Sequence, residues 1–160
     1  MVALSESHAY ANNIHIKLAA WQDQHYIQAD PVRFQQILVN LMSNGIKYNR
    51  HNGLLTLTWQ TEMRAQQPFW RLTIQDTGYG IAAENIPRLF VPFDRLGHES
   101  SSIEGTGIGL SITKDLVEQM GGYIEVDSNL NAGTAFSIGL PLAHQSPIPY
   151  PVLSEDLVKY

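Results

Sequence analysis

Residues 35–49, QQILVNLMSNGIKYN, read as one helix whose two faces ask for different surroundings. Phe34, Ile37, Leu38, Leu41 and Met42 recur at i, i+3, i+4, i+7 and i+8, which places them on one apolar stripe. At about 100° per residue, Arg33, Gln36, Asn40, Asn44 and Lys47 share a second stripe. A surface helix usually carries Glu and Lys there, whereas this one offers amides, then a cation, then the ring of Tyr48. Amide oxygens suit a hard metal ion, and a lysine can meet phosphate as a point charge. For the helix alone, a solvated face that happens to be rich in Asn is the better explanation of the pattern.

The surrounding composition allows one domain with a core. The chain has 160 residues, 44% hydrophobic and 16% charged, which is globular rather than disordered. Its net charge of −5 argues against nonspecific binding to nucleic acid or an anionic membrane, so a phosphate ligand would depend on local geometry. With no Cys there is neither a disulfide nor a thiolate metal site, and a reducing compartment is compatible. No apolar run approaches about 18 residues and no signal-peptide pattern opens the chain, so the sequence reads as soluble.

Residues 1–13 are polar and without period, as expected of an upstream linker remnant. Ile14, Ile16 and Leu18 alternate with polar residues as in a strand, a turn is expected at 22–25, and 26–29 suggests a short partner strand. Asp30-Pro31 then starts the long helix, with Asp30 as cap and Pro31 in the first helical position. Leu55, Leu57 and Trp59 alternate in a half-buried strand, 66–68 make a loop, and Trp70, Leu72 and Ile74 alternate in the next strand. That inward phase reaches Asp76, and a buried carboxylate needs a donor. Residues 83–90 suggest a short helix stopped by Pro92. A polar, Ser-rich run at 97–104 leads through Gly105-Thr106-Gly107-Ile108-Gly109-Leu110 into a helix that Gly121-Gly122 ends. Ile124 and Val126 start a strand, 131–133 turn the chain, and Thr134, Phe136, Ile138 and Leu140 share a face of the last strand. The prolines at 147, 149 and 151 mark residues 143–160 as a linker or tail. The expected fold is an α/β (α+β) sandwich, a mixed, mostly antiparallel sheet covered on one face by helices.

Taken singly, the motifs are ambiguous. Gly105-x-Gly107-x-Gly109 at a helix start can cradle phosphate or serve only as a hinge, and it lacks the spacing and preceding strand of the dinucleotide fingerprint. Asp76 with Gly78 and Gly80 can be an Asp-Gly turn or a carboxylate that accepts from an exocyclic amine, as adenine presents. Gly133-Thr134-x-Phe136 can be a plain hairpin. The six histidines show no i, i+4 pair, so a zinc site is not expected, and no Ser or Thr sits in a nucleophile elbow.

The order of the motifs is more telling. Asn40-x-x-x-Asn44-x-x-Lys47-Tyr48, Asp76-x-Gly78-x-Gly80, Phe90-x-x-Phe93, Gly105-x-Gly107-x-Gly109 and Gly133-Thr134-x-Phe136 together resemble the N, G1, F, G2 and G3 boxes of the ATP-binding catalytic domain of sensor histidine kinases. The resemblance covers residues 14–142 and implies the Bergerat ATP-binding fold shared with Hsp90, DNA gyrase and MutL. It also implies ATP and Mg²⁺ as cofactors. Asn44 would ligate the metal with Asn40 nearby, Lys47 would meet the phosphates, and Tyr48 would flank the base; Asn44 and Lys47 are the implied catalytic pair. Asp76 would accept from adenine, beside Gly78, Gly80 and Ile81. Residues 94–106 would form the ATP lid, with Gly105, Thr106, Gly107, Gly109 and Leu110 at the phosphates and Thr134 near the base. Arg95 falls where the family often carries an arginine. The implied partners are a histidine-bearing dimerisation hairpin and a downstream response-regulator receiver domain. No nucleic acid is expected, and the isolated domain would be a cytoplasmic monomer, compatible with a membrane-anchored full-length protein.

Two departures stand out. Gly45 replaces the alanine common in the family, at a cost of about 1 kcal/mol in a helix interior. No histidine is followed by the acid and Pro of a phosphoacceptor segment; His8 precedes Ala-Tyr-Ala-Asn-Asn. Related ATPases carry Glu one turn before the metal-binding Asn as a general base, where this chain has Asn40, so negligible ATPase turnover is expected. A nucleotide-binding module without transfer activity is the alternative to a kinase, and the intact boxes argue against it.

Overall fold

Asp30 starts the long helix by satisfying its first unpaired amides. Its Oδ1 accepts from Val32 N at 2.9 Å and Arg33 N at 3.0 Å, and Pro31 fills the first helical position. Helix α1 spans Pro31–Lys47 and closes where Tyr48 N donates to Asn44 O at 3.0 Å. The chain is seen in a computed structural model that describes residues 13–20, 25–96 and 106–143. The expectations for 1–12, for the body of the turn after Trp21, for the lid at 97–105 and for the tail from 144 onward lie outside the described residues.

Five strands form one sheet: β1 His15–Leu18, β2 Leu54–Arg64, β3 Gln67–Asp76, β4 Tyr123–Asn129 and β5 Gly133–Pro141. Their spatial order is β1-β2-β3-β5-β4, with β1 parallel to β2 and the other pairs antiparallel. Helix α2, Gly109–Gln119, lies beside α1, and both cover the same face of the sheet as a sandwich layer. Alternate residues of each strand point to that face. Leu55, Leu57, Leu72, Ile74, Phe136 and Ile138 therefore meet Ile37, Leu41 and Ile46 of α1 and Val117 of α2, and all are buried. Asp76 continues the inward phase of Leu72 and Ile74, as the alternation predicts, and is itself buried.

Three local expectations are corrected. The segment at 26–29 does not pair with β1; only Ile27 forms a bridge, with Leu142, while β1 lies parallel to β2 with Ile16 opposite Leu55. That position brings Ile14 into the core beside β2. The segment expected as a helix at 83–90 is a 3₁₀ helix, Ala83–Arg88, with no buried residue. Pro87 inside it has no N–H for an α-type bond, and none of the helix's side chains is fully buried. The loop expected at 66–68 shrinks to Ala65-Gln66, both left-handed with φ of 48° and 64°, while Gln67 and Pro68 pair with Arg64 and Met63. A two-residue hairpin needs that backbone twist, and the turn lacks the Asn or Gly that usually signals it.

The departure at Gly45 has a packing reason. A Cβ there would lie 2.4 Å from Leu55 Cδ1, so the helix backbone rests directly on β2 and an alanine would require Leu55 to move.

Candidate nucleotide site

The C-terminal half of α1 forms one wall of a cavity of about 480 Å³, within the range of ligand sites. Asn40, Ser43, Asn44, Lys47 and Tyr48 line it. Arg33 and Gln36 share their stripe but not the cavity. Arg33 Nη1 donates to Gln119 Oε1 at 2.6 Å, which ties it to the far end of α2 at the surface, and Gln36 faces a shallow outer groove.

The sheet contributes Asp76, Thr134 and Phe136. Asp76 is 6% exposed, and its Oδ1 accepts from Gly78 N at 2.8 Å and Thr134 N at 3.2 Å. Among the described residues no cation pairs with it and no donor reaches Oδ2. Burial pushes its carboxyl above the ordinary value, and the two backbone donors offset this only in part. It is thus an acceptor with capacity to spare, opening on the cavity.

The loop after Asp76 is pinned from two sides at Tyr79. Tyr79 N donates to Tyr48 O at 3.2 Å, and Tyr79 O accepts from Asn131 N at 2.6 Å. Gly80 has φ +67°, and a Cβ there would lie 2.0 Å from Asn129 O. The glycines of this loop therefore serve close packing against α1 and the β4–β5 turn. Gly80 and Ile81 line the cavity, whereas Gly78 packs behind it, against Tyr48 O. Ser128 organises the corner: its hydroxyl accepts from Ile81 N at 2.9 Å, donates to Gly133 O at 2.9 Å and lies 2.9 Å from Thr134 Oγ1.

The opposite wall is the start of α2. Thr106, Gly107, Gly109 and Leu110 line the cavity, and Phe93 N donates to Gly107 O at 3.0 Å; Gly105 lies outside the described residues. Asn40 Nδ2 donates to Thr113 Oγ1 at 2.7 Å, joining the two helices. Asp94, Arg95 and Leu96 complete the rim with Leu89 and Tyr79. Arg88 clamps Asp94 with Nε to Oδ2 at 2.8 Å and Nη2 to Oδ1 at 2.9 Å. The Leu96 amide, then Arg88, holds that carboxyl below its ordinary value. With the charge of Asp94 answered, Lys47 and Arg95 are the cationic side chains among the described lining residues.

The predicted residues converge, apart from Gly78 and Gly105. Sequence reading missed Ser43, Tyr79 and Leu89 in the lining and Ser128 and Thr113 behind it, while Asp94 and Leu96 fall inside the segment expected as the lid. Ser43 had a signal, since it sits one residue before Asn44 and three after Asn40. The others depend on contacts between elements distant in sequence.

Residues 29–144 match the family model described as histidine kinase-, DNA gyrase B- and HSP90-like ATPase. Over 120 residues the chain is 42% identical to the sensor protein GacS of Pseudomonas syringae pv. syringae, covering 72% of this chain and 13% of that protein. The catalytic domain of histidine kinase ThkA superposes with a TM-score of 0.71 at 28% identity, over 87% of this chain and 86% of that one. Full-length ShkA, described in complex with AMPPNP, gives a TM-score of 0.71 at 29% identity, over 88% of this chain and 28% of that one. The chain belongs to this family as the ATP-binding catalytic domain of a sensor histidine kinase. It spans 11 to 14% of the length of curated relatives it matches.

Proposed function

We propose that the cavity holds Mg-ATP with adenine at Asp76 and the phosphates between α1 and the start of α2, and that the domain transfers the γ-phosphoryl group to a histidine carried outside this chain. The observation that carries this reading is the buried acid with an unused oxygen at one end of an amide-lined helix face. Asp76 would accept the adenine exocyclic amine, which guanine cannot offer at that position. The AMPPNP complex of the similar ShkA supports the same occupant.

The donor set fits magnesium. Among the described residues no group of three His, Asp or Glu side chains converges, so an ion here would draw on an amide oxygen and on the nucleotide itself, as Mg²⁺ does in phosphate sites. Asn44 would hold it, with Asn40 beside it. When bound, the ion neutralises charge on the phosphate oxygens. Lys47 contributes a fixed positive charge, and the α2 amides donate to phosphate oxygen. Transfer breaks the γ-phosphorus bond to the ADP oxygen and forms one to the imidazole nitrogen. The imidazole proton leaves to a base outside this chain. Asn40 has no basic atom at neutral pH, so activation of water is not supported and phosphate release should be negligible. A receiver domain downstream would accept the group next.

Mixing the chain with a histidine-bearing hairpin, magnesium and γ-labelled ATP tests this. Labelled histidine is expected; steady phosphate release without labelled histidine would overturn the kinase reading in favour of an ATPase.

A further inference from the structure

The amide of Asn40 is held from two sides by the first turn of α2. Its Nδ2 donates to Thr113 Oγ1 at 2.7 Å, and its Oδ1 lies against Gly109, where an added Cβ would come within 2.3 Å. Gly109 and Thr113 are four residues apart and stack on one face of the helix. Thr113 is 1% exposed, so its hydroxyl has no water to turn to.

An amide is symmetric in shape but not in chemistry. A half-turn about its last bond would exchange the oxygen for an NH₂ group. Here the turn would press N–H hydrogens onto the Cα hydrogens of Gly109; the Thr113 hydroxyl can donate or accept, so the glycine contact sets the orientation and Thr113 then anchors the nitrogen. The observed orientation sets an oxygen beside Gly109, where both residues line the cavity. An oxygen there suits a cation or its bound water and repels a bare phosphate; an NH₂ group would do the reverse.

We propose that Thr113 is a positioning residue for metal-assisted nucleotide binding: it anchors the Asn40 amide nitrogen on one side while Gly109 leaves room for the oxygen on the other, and so it holds the carbonyl oxygen toward the phosphate end of the cavity. This rests on the Mg-ATP reading of the site. Residues one step behind a metal contact commonly govern affinity in this way. The same contact keys the glycine-bearing start of α2 to the amide face of α1, so the two walls keep one spacing.

The test is calorimetric titration of the chain with ATP in Mg²⁺ and with ATP in EDTA, for wild type, Thr113→Val and Thr113→Ser. The ratio of the two affinities is the readout. Thr113→Val should lower that ratio about tenfold, with the EDTA arm not weakened, and Thr113→Ser should keep it within about twofold of wild type. Equal weakening in both arms would mean a merely structural role and overturn the proposal, as would an unchanged ratio in Thr113→Val or a ratio in Thr113→Ser as low as in Thr113→Val. A wild type whose affinity ignores Mg²⁺ would instead overturn the Mg-ATP reading, and this inference with it. A second measurement needs no variant: in the ligand-free wild type, one side-chain amide proton of Asn40 should exchange slowly with solvent. Exchange of both protons at the rate of an exposed asparagine would overturn the assignment.

Discussion

Asp76 and Glu62 sit on adjacent strands, β3 and β2, and face opposite sides of the sheet. Asp76 is buried under the helices and, among the described residues, has only backbone donors, both on one oxygen. Glu62 lies on the outer face in a lattice of partners. The Tyr123 hydroxyl donates to its Oε1, and Arg71 Nη1 reaches its Oε2 at 3.3 Å. Arg71 also spans to Glu125 at 3.4 Å and donates to Ser137 Oγ at 3.1 Å. The consequences run in opposite directions. Burial pushes the Asp76 carboxyl up, while the Tyr123 hydroxyl, followed by Arg71, holds that of Glu62 down. One acid is paired within the protein and stabilises it; the other is kept short of partners, at a cost to stability, which leaves it able to take a ligand.

The largest expected effect is at Asp76. Asp76→Asn should lose about ten- to a hundredfold of the preference for ATP over GTP, the worth of a hydrogen bond to a charged acceptor. Titration with ATP, ADP and GTP checks this. The same variant should melt no lower than wild type, since it retains an oxygen for Gly78 and Thr134 and sheds a buried charge. A large drop in melting temperature would break the contrast with Glu62.

The pH dependence is next in size. Because the folded value of Asp76 lies above 3.8, folding favours its protonated form. Stability from this group therefore rises as pH falls through the folded value, whereas ATP affinity falls, because adenine needs the ionised carboxylate. Affinity should decline on the acid side at a pH above 3.8, and Asp76→Asn should flatten that limb.

Glu62→Gln reverses the pattern, with about 1 kcal/mol lost from denaturant stability and ATP affinity unchanged. Its folded value is lowered, so its contribution is present above 4.5 and is lost as pH falls below that through the folded value.

Tyr123→Phe should be the smallest, about 0.5 kcal/mol, because the ring would still lie over Gly139 and under Arg64. In wild type the Tyr123 hydroxyl is pushed up to about 12, by burial first and then by Glu62. The stability it contributes is full below pH 10 and is lost as pH rises toward about 12, which an alkaline titration of tyrosine absorbance and unfolding would follow.

Much of this was legible in the chain. The Asp30 cap, the two faces of α1 and the inward phase of Leu72, Ile74 and Asp76 follow from local periodicity, which survives folding because neighbouring side chains keep their angular relation. The parallel placement of β1 was not legible, since a short alternating strand does not name its partner. Pro87 was a visible warning against an α-helix at 83–90. Thr113 and Ser128 looked like ordinary helix and strand residues, and their roles arise only where Asn40 and Ile81 meet them.

Periodicity and the ordered boxes of this sequence determined the helix, the inward acid and the family, because spacing along a chain dictates which side chains share a face. Tertiary structure alone decided which glycines must be glycine for packing at Leu55, Asn129 and Asn40, and which way the Asn40 amide turns. Those depend on distances between backbones remote in sequence, where a few tenths of an ångström separate contact from collision.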